Sequence, residues 1–208
     1  MRSDKIEIIK QTKGAFDFLQ KLYFEVSYII KEVEGLLGEQ PEEFIIGRPS
    51  GYGINTRSST GLESNNVNLW LIRKLAVFFV PRTFTEISGG MTNTPFSKDL
   101  KVIYLRITLD YKEMMEPVVK AGILYDFERK EVKSRLLKFE NAMGYFEYNS
   151  NNFFKTLGNA DYEDNYLKFK LNMFESKLFD LNSGDDVAKN LVEPMIELFR
   201  KTQMNIGG

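Results

Sequence analysis

Histidine and cysteine are both absent from the 208 residues. Without thiols there is no disulfide, no thiolate nucleophile, and no Cys-ligated zinc or iron–sulfur cluster. Without imidazole the Ser–His–Asp and Cys–His mechanisms are closed, as are the H-E-x-x-H zinc motif and ordinary haem or copper sites. A dominant charge is missing too. The 28 basic and 29 acidic residues leave a formal net charge of -1, so no global field draws polyanions. The longest apolar run, Leu75 to Val80, is strand-sized and far short of the roughly 18 uninterrupted apolar residues of a membrane-spanning helix. Met1 to Lys10 alternates charge with isoleucine and lacks the apolar core of a signal peptide. A cytoplasmic chain with no membrane insertion is therefore expected. Its remaining chemistry rests on Asp/Glu, Lys, Tyr, Ser/Thr and Arg, or on an oxygen-ligated cation such as magnesium. That depletion favours a non-catalytic binding or assembly protein with no cofactor.

What is present divides by period. Ile6, Ile9, Phe16, Leu19, Tyr23, Val26, Ile30, Val33 and Leu37 recur at helical spacing, with Leu22, Ile29 and Leu36 widening the stripe. The pattern predicts one long helix, or a helix pair, over 4–37, stopped by Gly38 and Pro41. A stripe this broad calls for a sheet or a partner chain against it. Over 42–176 the period becomes two. Strands are predicted around Phe44–Ile46, Asn68–Val80, Leu100–Tyr111, Val118–Glu128, Leu137–Tyr148 and Tyr166–Glu175, joined mostly by short polar connections. Asn68–Val80 is apolar on both phases, as a centrally placed strand covered on both sides would be. In Val118–Glu128 the residues Val119, Ala121, Ile123, Tyr125 and Phe127 fall on one phase. Helical spacing returns over 185–203 through Val187, Leu191, Met195 and Leu198, with Ser183 and Asp185 as caps and Pro194 as a kink or a second start. The expected fold is α+β: one domain, with a meander-like antiparallel sheet of about six strands flanked by an N-terminal and a C-terminal helix.

Several segments carry candidate chemistry. Gly47 to Gly61 holds four glycines, Arg48 and Arg57, and the hydroxyls of Ser58, Ser59 and Thr60. Guanidinium, hydroxyl and backbone amide are the groups that hold phosphate or carboxylate, so these residues are the candidate anion or ligand contacts. The segment fits neither the Walker pattern nor the dinucleotide fingerprint, and a long hairpin connection is its plainer reading. Ile87 to Pro95 is a second glycine-bearing connection, a plain loop or a lid. Phe153 and Phe154 stand in a polar stretch and are the candidate partner anchors.

The alternative reading is a magnesium-dependent phosphoesterase or nuclease, with Asp110 paired to Glu131 and Lys133, the carboxylates holding the cation and the lysine stabilising phosphate charge. Glu-x-Lys recurs at Glu128/Lys130, Glu131/Lys133 and Glu175/Lys177, a frequency that composition alone explains. A second alternative, a nucleic-acid module, would use Arg73, Lys74, Lys120, Lys168 and Lys170, which fall on different strands. Asp161–Asn165 and Asp180–Gly184 lack the glycine and glutamate of a calcium loop and read as a turn and a helix cap. The favoured partner is a protein or a second copy of the chain.

Overall fold

In a computed structural model, the structure describes residues 2–47, 54–55, 71–88, 91–94, 96–110, 114–130, 139–149 and 156–204. The chain opens with α1 (Arg2–Gly38), followed by β1 (Phe44–Ile46), β2 (Ile54–Asn55), β3 (Lys74–Pro81) and the hairpin β4 (Glu86–Ser88) and β5 (Met91–Asn93). Next come β6 (Val102–Thr108), β7 (Val118–Arg129), α2 (Phe139–Asn149), β8 (Gly158–Glu163) and β9 (Leu167–Lys177). The C-terminal helical region joins α3 (Gly184–Val187) to α4 (Glu193–Met204) through a π-helical turn over Ala188–Val192. This is the α+β arrangement that the change of period predicts.

All pairings in the main sheet are antiparallel, in the order β1-β3-β6-β7-β9-β8, with β2 also on β3. The order departs from a simple meander at the end, because α2 intervenes and β9 inserts between β7 and β8. β3 and β6 are buried on both faces, as expected of strands covered on two sides. One face carries Val77, Phe79, Ile103, Leu105, Ile107, Val119, Ala121 and Ile123 against Val26, Ile29, Val33 and Leu37 of α1 and Leu191, Met195 and Phe199 of the C-terminal helices. The other carries Phe78, Tyr104, Leu124, Phe169, Leu171 and Met173 against Phe139, Met143 and Phe146 of α2. Each fully buried aliphatic or aromatic side chain contributes about 1.5–3 kcal/mol, so both layers are needed.

Local details follow from particular residues. Pro194 has no N–H to give the carbonyl of Asn190, so the α-helical ladder cannot run through it. The chain answers with the π turn, in which the Glu193 N–H reaches Ala188 O, and the Ser176 hydroxyl donates to Asn190 O at 3.3 Å. Ser183 caps α3 by accepting from the Asp186 N–H, and Asp164 Oδ1 accepts from the N–H groups of Tyr166 and Leu167, each at 2.7 Å. The cap reading of Asp180–Gly184 holds at Ser183, whereas of Asp161–Asn165 only Asp164 and Asn165 lie in the turn, Asp161–Glu163 belonging to β8.

Two expectations are corrected. Of the strand expected over Leu137–Tyr148, the described part is not a strand: Phe139–Asn149 is helical, because Phe139, Ala142, Met143 and Phe146 (offsets of three, four and seven) are the apolar residues that bury. Phe127 does not share a face with Val119–Tyr125. A β-bulge between Tyr125 and Glu128, with Asp126 at φ 58°, reverses the phase and sends Phe127 into the aromatic layer.

Candidate functional site

Two polar constellations stand out, one on each face of the sheet. On the α2 side, strand register places Ala76, Arg106, Lys120 and Glu175 in one row across β3, β6, β7 and β9, with Lys74 opposite Thr108 beside it. Arg106, Thr108, Lys120 and Glu147 are all buried. α2 delivers Glu147, whose carboxylate accepts a very short hydrogen bond from the Tyr104 hydroxyl and whose backbone carbonyl accepts from Lys74 Nζ at 3.0 Å. Lys120 Nζ reaches Thr156 O at 3.4 Å and Glu175 Oε2 at 3.7 Å.

Burial is the first cause of every shift in this cluster. It lowers Lys74 and Lys120, with Arg106 adding repulsion in both cases. It also pushes the Tyr104 phenol well above its ordinary value, reinforced by the Glu147 charge. The arrangement ties α2 to the sheet by ionic and phenolic contacts.

On the opposite face α4 packs against β7 and, through Phe199, against Phe44 of β1. Past its edge the outward phase of β9 and β8 turns polar, and a groove of about 590 Å³ opens there. Lys98, Lys101, Lys170 and Lys201 line it with Asp99, Asp126, Tyr125, Asn159, Asn172 and Thr202. Asn159 and Asn172 are register partners on β8 and β9. Lys170 Nζ is held by Asp126 Oδ2 at 2.8 Å, which raises the lysine above its usual value, and the bulge at Asp126 is what aims that carboxylate. Lys201 pairs with Glu197 on its own helix.

Lys101 is different. It is only 5% exposed, and its Nζ has no hydrogen-bond partner. The ammonium stands over the Phe199 ring, 5.6 Å from its centroid. Burial lowers the Lys101 amine, with Asp99 opposing the shift.

Of the residues singled out in the sequence, Asp110 is exposed and paired with Arg73 at 3.3 Å. Glu131, Lys133, Arg48, Arg57, Ser58, Ser59, Thr60, Phe153 and Phe154 lie outside the described residues. Ile87–Pro95 contains the β4–β5 hairpin. Among the basic strand residues, Lys74 and Lys120 come together on the α2 side, whereas Lys168 and Lys170 are exposed on β9, so the five do not form one surface. Sequence reasoning missed Lys98 and Lys101 altogether. The available signal was the polar phase Lys168–Lys170–Asn172 of a strand whose other phase is apolar from Leu167 to Met173.

The chain matches no protein-family model, no curated protein and no solved structure. No group of three or more side chains suited to holding a metal ion occurs among the described residues. No helix among them is long and apolar enough to cross a membrane.

Proposed function

We propose that this is a non-catalytic binding protein that holds a small anionic ligand, bearing phosphate or carboxylate groups, in the groove beside α4. The observation that carries the reading is Lys101, a residue of the groove lining whose ammonium is buried without an acceptor. Leaving a buried donor unsatisfied costs about 1–3 kcal/mol, and more for a charged one. An anion in the groove supplies the missing acceptor and offsets that cost. With Lys170 held by Asp126 and Lys201 by Glu197, Lys98 and Lys101 stand against Asp99 and leave the lining positive. Asn159, Asn172 and Thr202 add neutral donors that fix orientation.

Isothermal titration with inorganic phosphate, pyrophosphate and citrate tests this. At least one binds, and Lys101→Met weakens it tenfold or more. Affinity falls as pH rises through the lowered Lys101 value, since the neutral amine no longer attracts the anion. Absence of binding by all three, or a Lys101→Met protein that binds like the parent, overturns the reading.

The magnesium phosphoesterase reading has less support, because Asp110 is an exposed partner of Arg73. A nucleic-acid module would bind with an affinity falling steeply with salt, and its basic strand residues are divided between the buried α2 side and the exposed β9 positions.

A further inference from the structure

α1 is 37 residues long, about 55 Å at 1.5 Å per residue, yet only its second half is buried. Val26, Ile29, Ile30, Val33 and Leu37 lie in the core. Every residue from Lys5 to Phe18 is exposed. This arm is not polar: Ile8 is 62% exposed, Phe16 70% and Phe18 62%.

The spacing 8, 12, 15, 19, 22, 26, 29, 33 alternates fours and threes without a break, so Ile8, Thr12, Ala15, Leu19 and Leu22 continue the stripe that Val26, Ile29 and Val33 bury. Ile9, Phe16 and Tyr23, each seven apart, widen it on one flank, and Phe18 does so on the other. Lys10, Lys13, Asp17 and Lys21 fall on the opposite side of the helix, interrupted by Ile6 and Phe24. The same apolar face therefore has a partner over half its length and none among the described residues over the other half.

We propose that the arm pairs antiparallel with the arm of a second copy of this chain. Three features favour that occupant. The body of the protein stands on this very face from Val26 onward, so a flat bilayer laid against the arm would cut through the body. A second arm has the length of the uncovered face by construction, and a two-fold axis near Ala15 fills both faces at once, each tip abutting the other copy's body. A small residue of the stripe, Ala15, sits at the crossing. Two aromatic side chains of about 150–250 Å² each, with Ile8 and Ile9 and counted in both copies, bring the buried surface to about the 1,000 Å² that a specific interface requires. The pairing is independent of the ligand reading of the groove.

Sedimentation of the full chain over a concentration series tests the pairing. A dimer is expected, with Phe16→Asp and Phe18→Asp each weakening it about 30-fold or more while the circular dichroism of the folded chain stays unchanged, since neither side chain belongs to the core. The natural chain has no cysteine, so single introductions report orientation cleanly. Ala15→Cys cross-links to itself on mild oxidation. Ile8→Cys does not, because the two copies of residue 8 stand about 21 Å apart in the antiparallel pair, far beyond the roughly 7 Å limit of a disulfide. A monomer at every concentration, equal cross-linking at both positions, or a monomer that sediments with phosphatidylserine vesicles through Phe16 would each overturn the proposal.

Discussion

The two faces of the sheet are equally buried and chemically unlike. The α1/α4 face is mostly aliphatic, with Phe79 and the partly buried Tyr125 the aromatics contributed by β3, β6 and β7. The α2 face is aromatic, with Phe146 edge-on to Phe169 at 5.2 Å and Tyr162 stacked on Phe169 at 4.8 Å, and it ends in the Lys74–Arg106–Lys120–Glu147 cluster. Aliphatic contact is non-directional and roughly proportional to area. Ring pairs and buried charges hold only at defined geometry. The difference implies that the first face tolerates exchange of side chains while the second tolerates little.

Four substitutions sharpen or break that contrast, from the largest effect to the smallest. Glu147→Ala removes the interior anion facing Tyr104 and Lys74 and is expected to destabilise by about 3–5 kcal/mol, the range for a buried charge left without its counterpart, read by urea unfolding. Ile123→Val on the aliphatic face should lower stability by only about 0.5–1.5 kcal/mol in the same assay. Equal losses at the two sites would dissolve the distinction between the faces.

Lys101→Met should stabilise the unliganded protein by about 1 kcal/mol, since it removes a buried unsatisfied donor at the expense of one contact with Phe199. The sign with pH follows from the lowered Lys101 value. Between the folded and the unfolded pKa the unfolded chain binds more protons, so stability rises with pH across that alkaline window. Lys74 and Lys120 are lowered as well, and Lys101→Met should therefore flatten the rise without abolishing it. Glu163→Gln breaks the exposed pair with Lys130 and should leave the thermal midpoint where it was.

The legibility of the fold varied with the kind of signal. α1 was visible from end to end, because twelve apolar residues at helical spacing leave no competing period. β6 was visible as a strand, but burial of its polar phase was not. Arg106 and Thr108 read as an ordinary mixed face until α2 lies over them. α2 itself was misread as a strand, since Phe139, Met143 and Tyr145 satisfy a period of two as well as their neighbours satisfy 3.6 over so short a stretch. The phase reversal at Asp126 had no local marker: an aspartate at positive φ looks like any other aspartate in a sequence. The groove was invisible for a related reason. Its lysines come from three separate segments, and only the strand order β7-β9-β8, with α4 alongside, sets them around one space.

What the polypeptide determined by itself was its exclusions and its periods: no imidazole, no thiol, a long helix, a run of strands and a proline-broken helical end. Those depend on residues near one another in the chain. Which polar groups are withdrawn from water, which lysine lacks an acceptor and which half of α1 stays bare were decided only by tertiary structure, because desolvation is a property of everything packed around a group rather than of the group's own neighbours in sequence.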